Sequence, residues 1–339
     1  MALVVQGSGR PLAEVAADLS GSDKSKCLYA LAELGSAGDA GAPYFDQVLK
    51  LAKGKADHLD VKTSAMQALA LCAKGKEKEA TKVFEEGLGS GTPEVRTASA
   101  AGLGVLKVTS SSKDLAGLLQ DSYMRVRCAA MGALAQIGEG SASHAKVMAE
   151  QLNVPIVRRD AIFALGAAGK AGADYLDDIV GFIEDSDPEV RLAVAEALWG
   201  LQQWVTPQMA EKVGKLLQHQ DDRMRASGAS ALGGIGSPQK VANFIPALVK
   251  MMRECPPTRE KMVHSPNCAA ALALGRLGVQ DDDIAFYLTS KMPGMRAAAC
   301  EGLASMGTKA SKHKAAVERL LKDEHEGVCE AAERALKSL

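Results

Sequence analysis

The sequence predicts an all-α protein built as one array of about ten stacked helical hairpins, a right-handed α-solenoid. Three observations carry this expectation. The 339-residue chain is 47% hydrophobic but only 4% aromatic, so its apolar content is mostly Ala, Leu and Val. Ala and Leu are strong helix formers and leave little bulk between neighbouring helices. A helical register with leucine at a fixed place recurs ten times, and a second amphipathic segment lies between successive copies.

The register is clearest where two segments begin alike, at Thr92-Pro93-Glu94-Val95-Arg96 and Asp187-Pro188-Glu189-Val190-Arg191. Thr or Asp caps a helix N-terminus, and Pro suits the first helical position because its missing N–H has no partner there. Counting the Val as position 0, apolar residues follow at positions 4, 7, 8 and 11, which is one face of a 3.6-residue helix. In one copy these are Val194, Ala197, Leu198 and Leu201; in the copy beginning at Val126 they are Ala130, Ala133, Leu134 and Ile137. Position 0 falls at Asp23, Val61, Val95, Val126, Val157, Val190, Met224, Pro266, Met295 and Val328. The first and last are 305 residues apart over nine steps, about 34 per repeat. Position 8 is leucine throughout: Leu31, Leu69, Leu103, Leu134, Leu165, Leu198, Leu232, Leu274, Leu303 and Leu336. Position 12 is glycine at Gly35, Gly138, Gly169, Gly236, Gly278 and Gly307, which predicts helices ending in a left-handed turn.

The partner helices are expected near residues 44–51, 146–152, 177–183, 209–217, 241–252 and 315–321. Such a hairpin cannot bury its own apolar face, so stacking on its neighbours completes the core. Residues 1–339 then form a single array, with residues 1–19 as an N-terminal cap or tail and residues 253–267 as the longest connection.

A second helix opening D-x-x-V-R, followed by Ala, Ala-Leu and Ile-Gly, resembles HEAT repeats of the short kind first noted in phycobilin lyases. The resemblance covers roughly residues 20–339 and implies an armadillo-like solenoid, an architecture that serves many unrelated tasks. The basic row at position 1, Lys62, Arg96, Arg127, Arg158, Arg191, Arg225 and Arg296, follows the family pattern. Asp60, Asp121, Asp185, Asp187, Asp222 and Asp323 precede several of its members, and the resemblance implies a structural Asp–Arg ladder between adjacent repeats. Two enzyme families share the scaffold. Deoxyhypusine hydroxylase, a di-iron enzyme, carries His-Glu pairs just after the Val-Arg position, where this chain has pairs such as Thr97-Ala98, Arg159-Asp160 and Leu192-Ala193. Its one His-Glu pair, His325-Glu326, precedes the last helix, and one pair cannot hold a di-iron centre. Bilin-lyase-like handling of a chromophore is the alternative reading, although no feature of the sequence marks a tetrapyrrole site.

Forty basic and 41 acidic residues give a formal charge of −1, against a nucleic-acid binder with a basic stripe. The Lys-rich segment 50–82 is interleaved with acids and reads as a solvated face. No stretch reaches the ~18 apolar residues of a membrane span, and the first residues lack a signal-peptide pattern. Seven scattered cysteines, with Cys27, Cys72, Cys128, Cys268 and Cys300 among helical Ala and Leu, fit small buried hydrophobes in a reducing compartment. The expected location is the cytoplasm, a reducing compartment; the sequence does not separate it from nucleus or cilium.

No catalytic residue, metal or cofactor is expected. Cys255, His264 and Cys268 lack a fourth zinc ligand, and His325 with Cys329 lacks the orienting third group of a nucleophile pair. Asp281-Asp282-Asp283 reads as an acidic first turn complementing a helix dipole. The expected function is a non-catalytic scaffold or adaptor, a subunit of a larger assembly, which takes a helix or extended segment of a protein partner in its concave groove. Positions 3, 6 and 10 are the expected groove lining and are mostly small: Ala98, Ala101, Ala129, Gly132, Ala193, Gly200, Ser227, Ser230 and Gly234. Against that background Phe163, Glu196, Trp199 and Trp204 stand out as candidate partner-binding residues, because Trp is enriched at interface hot spots. The connection 253–267 is a further candidate, since long loops on rigid scaffolds often carry function.

Overall fold

A computed structural model describes residues 9–54, 58–254 and 265–339. Among them there is no β-strand. Each of the ten leucine-register segments is a helix: α1 (Lys24–Ser36), α2 (Leu59–Leu71), α3 (Pro93–Val105), α4 (Met124–Ile137), α5 (Pro155–Ala167), α6 (Pro188–Gly200), α7 (Asp222–Ile235), α8 (Pro266–Leu277), α9 (Pro293–Met306) and α10 (Glu326–Leu336). The chain divides into two compact units, the first ending at Ala168 and the second running Gly169–Leu339. In the first, α1 to α5 pack each on the next; in the second, α6 to α10 do the same.

The core of each unit is the leucine row. Nine of the ten position-8 leucines, Leu31 to Leu303, have no solvent exposure. Leu336 is half-buried, on the last helix of the second unit. The partner helices form where the second apolar segments predict them, at Phe45–Lys53, Ala145–Glu150, Leu176–Gly181, Pro207–Gly214, Ile245–Glu254 and Lys314–Arg319. Several are a single α-helical turn or two continued by a 3₁₀ turn, as at Gln151–Asn153, Phe182–Glu184 and Lys215–Gln218. This tighter winding at the end satisfies carbonyls that a short helix leaves unpaired.

Caps follow residue type. The Asp187 carboxylate accepts from the Glu189 N–H at 2.9 Å, whereas Thr92 makes no side-chain cap bond and leaves Pro93 to open α3. Five of the six position-12 glycines have positive φ, and at Gly236 and Gly278 the backbone is left-handed. Gly35 departs from the expectation. It lies inside α1, buried against α2, and the positive φ passes to Gly38 because the helix continues to Ser36.

Small residues play a different part from the one their register suggested. Ala193, Ser227 and Gly234 are buried rather than lining an open groove. They let successive second helices approach closely: a Cβ on Gly234 would sit 2.1 Å from the Ala195 carbonyl oxygen, and one on Gly275 would sit 2.2 Å from that of Gly302. Position 10 stays exposed at Leu71, Val105 and Gly200, and position 6 is open in every copy. In the first unit it reads Tyr29, Gln67, Ala101, Gly132 and Phe163; in the second, Glu196, Ser230, Leu272, Glu301 and Arg334.

Candidate functional site

The position-1 arginines share one backbone bond. Arg96, Arg127, Arg158, Arg191, Arg225 and Arg296 each donate to the carbonyl six residues earlier, at 2.7–2.9 Å. Each guanidinium thereby ties the start of a second helix to the end of the helix before it. Arg96 and Arg296 also reach the next repeat through two-pronged bonds to a carboxylate, Arg96 to Asp121 at 2.8 and 3.0 Å and Arg296 to Asp323 at 2.7 and 2.7 Å. Arg191 reaches the next repeat through the Ser227 hydroxyl at 2.8 Å. Arg225 pairs instead with Asp222 on its own helix.

Charge follows contact. Hydrogen bonding to Arg96 and Arg296 holds the Asp121 and Asp323 carboxyls below the ordinary aspartate range. Arg191, buried with a hydroxyl in place of a carboxylate, is pushed down by desolvation. These side chains are already committed to neighbouring protein atoms and do not form a free anion track.

One of these pairs presents an exposed site. Asp121 accepts from the Tyr123 N–H at 2.8 Å, and the Arg96 guanidinium lies 5.7 Å from the centre of the Tyr123 ring. Held in this way, Tyr123 and the adjacent Met124 stand 55% and 44% exposed at the start of α4. They line an open pocket of about 420 Å³ together with Thr63, Gln67, Thr97 and Ala98. Glu94 and Arg125 put one charge of each sign on its rim. Ile156, at the start of α5, is 57% exposed. The sequence reading passed over Tyr123 and Met124 because they precede position 0. The available signal was two large apolar residues at a helix start where α6 and α7 carry Asp187 and Asp221.

The expected partner-binding residues are distributed over both units. Phe163 is 38% exposed on α5, in the first unit. Glu196, Trp199 and Trp204 belong to the second. Trp199 is 40% exposed on α6, and the Arg276 guanidinium of α8 lies 5.7 Å from its ring centre. The same guanidinium donates to the Glu196 carboxylate at 2.7 Å. Trp204 is half-buried in the 3₁₀ turn Gln202–Trp204. Most of the connection 253–267, including Cys255 and His264, lies outside the described residues, as do residues 1–8 of the N-terminal segment.

Comparison with known proteins places this architecture. A family model described as HEAT repeats matches residues 81–166 and 183–264. The chain is a HEAT-repeat protein. Among solved structures, importin β is similar at 13% identity and a TM-score of 0.60, covering 96% of this chain and 52% of its own. The chain thus spans about half the length of importin β, and at this identity the likeness is one of fold. An engineered protein aligns over 96% of this chain and 98% of its own, at 20% identity and a TM-score of 0.47. No curated protein matches by sequence.

Within the HEAT array the remaining clusters have partners. Asp281, Asp282 and His313 lie close enough together to hold a cation, but Lys312 bonds both carboxylates, at 2.8 and 2.9 Å. Asp283 pairs with Arg253. His325 precedes α10 beside Asp323 and Glu324, half-exposed and without a side-chain cap bond, and Cys329 donates to the Asp323 carbonyl at 3.3 Å. Cys72 donates to the Leu34 carbonyl and Cys268 abuts the Met295 sulfur. Burial pushes Cys72 and Cys268 up to about 11 and Cys300 up to about 12, so these thiols stay protonated near neutrality. Among the described residues no helix is long and apolar enough to cross a membrane.

Proposed function

We propose that the chain is a protein-binding scaffold whose first unit docks a partner segment on the open face of its second helices. The observation that carries this reading is the pocket beside Tyr123 and Met124. Two large side chains stand exposed together, and one is braced by an arginine that is itself fixed by a carboxylate. Monomeric surfaces tolerate single exposed apolar residues, but a clustered, braced pair beside a concavity of this size marks a contact site. The position-6 row supports the same reading. Tyr29, Gln67, Ala101, Gly132 and Phe163 are uncharged, so a helix or extended chain lies along them without desolvating an ion.

In this reading the pocket takes one anchoring side chain of the partner and the row takes its backbone or small residues. Glu94 and Arg125 set the direction of the segment, since rim charges act on orientation more than on affinity. The role is that of an adaptor or fixed subunit, and binding rather than turnover is its activity.

Affinity capture of the full chain from extract of its native source tests the proposal. Met124→Glu, a substitution at an exposed position, is expected to lose the captured partner at least tenfold while leaving thermal unfolding unchanged. Equal capture by the wild type and Met124→Glu would contradict it.

A further inference from the structure

Arg276 makes a contact that the HEAT architecture does not require. The Glu301–Arg334 pair, for example, joins consecutive second helices, α9 and α10, at 2.8 Å. Arg276 instead starts on α8, passes over α7 and ends on α6, 80 residues earlier in the chain. The span is short because α7 is closely packed on both sides, Gly233 against Ala273 of α8 and Gly234 against Ala195 of α6. At its end the guanidinium meets two different groups. It donates to the Glu196 carboxylate at 2.7 Å and lies 5.7 Å from the centre of the Trp199 ring. The ring edge lies beside Gly236, 3.0 Å from where a Cβ there would sit, and Gln202 Oε1 lies 2.6 Å from the same point.

An indole face and a carboxylate converging on one point make a cradle for a guanidinium. The planar cation stacks on the ring while its N–H fork meets the oxygens. All three groups remain accessible, with Trp199 40% exposed and the Glu196 and Arg276 side chains 44% and 31% exposed. Exposed pairs of this kind hold weakly, because ordering two long side chains offsets much of the attraction. An internal occupant held weakly in a cradle of matching charge is easily exchanged for the same group from outside.

We infer that Glu196 and Trp199 form a binding site for an arginine side chain of a basic peptide segment, and that Arg276 fills this site in the free chain. A partner's arginine displaces Arg276, which swings into solvent on its flexible stem. The site lies in the second unit and rests on its own contacts, so it stands or falls separately from the Tyr123 pocket.

Fluorescence of Trp199 reads the exchange directly in a Trp204→Phe background, where it is the sole indole. The probe is the blocked peptide acetyl-Gly-Arg-Gly-Arg-Gly-amide, with a citrulline-for-arginine version as the uncharged control. Removing the internal competitor by Arg276→Ala is expected to lower the Kd for the arginine peptide roughly two- to fivefold. Arg276→Gln, which keeps most of the stem packing, is expected to behave alike. Adding Glu196→Gln to Arg276→Ala abolishes the gain, and Lys250→Ala, which removes one positive charge elsewhere, leaves the Kd unchanged. An unchanged Kd in both Arg276 variants would overturn the inference. So would a gain that survives Glu196→Gln or is matched by Lys250→Ala, or equal binding of the citrulline peptide.

Discussion

Arg296 and Asp323 show how one residue pair sets a response to pH. The Asp323 carboxyl ionises more readily in the folded chain than in the unfolded one, because the Arg296 guanidinium bonds both its oxygens. Its contribution to stability is therefore fully present above the ordinary aspartate value of about 3.9 and is lost as pH falls through the lower folded value. Asp121, held by Arg96, adds to the same window. In thermal unfolding between pH 6 and 2.5, Asp323→Asn is expected to be less stable than wild type by about 2 kcal/mol at pH 6. The difference should shrink steadily below about pH 4. A gap that stays constant to pH 2.5 would contradict the assignment. The thiols give a second test at this scale. With a disulfide reagent at pH 8, Cys72, Cys268 and Cys300 should react only on unfolding, since burial keeps them protonated and shielded. Half-buried Cys329 should react in the native chain.

At the scale of the helix, two glycines predict opposite outcomes from the same substitution. Gly132 lies inside α4 on the open face, and an added Cβ meets nothing within 4 Å. Gly132→Ala should stabilise the chain by about 0.5–1 kcal/mol by limiting the unfolded backbone. Gly234→Ala forces a methyl against the Ala195 carbonyl oxygen and should cost about 1–3 kcal/mol as α6 and α7 part. Urea unfolding of the two variants measures both signs. The same contrast explains what could be read in advance. The ten second helices were legible because every copy repeats leucine at position 8, and repetition averages out local exceptions. The open face was harder to read, since the distance between successive helices decides whether position 3 or 10 meets solvent. Small residues were the cause of that closeness, so Ala193 and Gly234, expected in a groove, are buried. Tyr123 and Met124 fell outside the register altogether, in a helix start whose exposure depends on the neighbouring repeat. Glu196 and Trp199 were visible as unusual residues, but their partner Arg276 lies two repeats away, beyond any local pattern.

Across the molecule, HEAT hairpins stack within each of two units, and the open faces of the two differ in chemistry. The first unit offers an uncharged row and a pocket of mixed lining beside Tyr123 and Met124, and the second the ion pairs Glu196–Arg276 and Glu301–Arg334. The proposed function depends on the Tyr123 face binding protein, and a photo-crosslinking residue placed at 123 tests it most directly. Irradiated in extract of the native source, it should give a discrete polypeptide adduct that Met124→Glu removes, with no such adduct from the same residue placed at Lys82 on a partner helix. Adducts no stronger at 123 than at 82, or unaffected by Met124→Glu, would contradict the account.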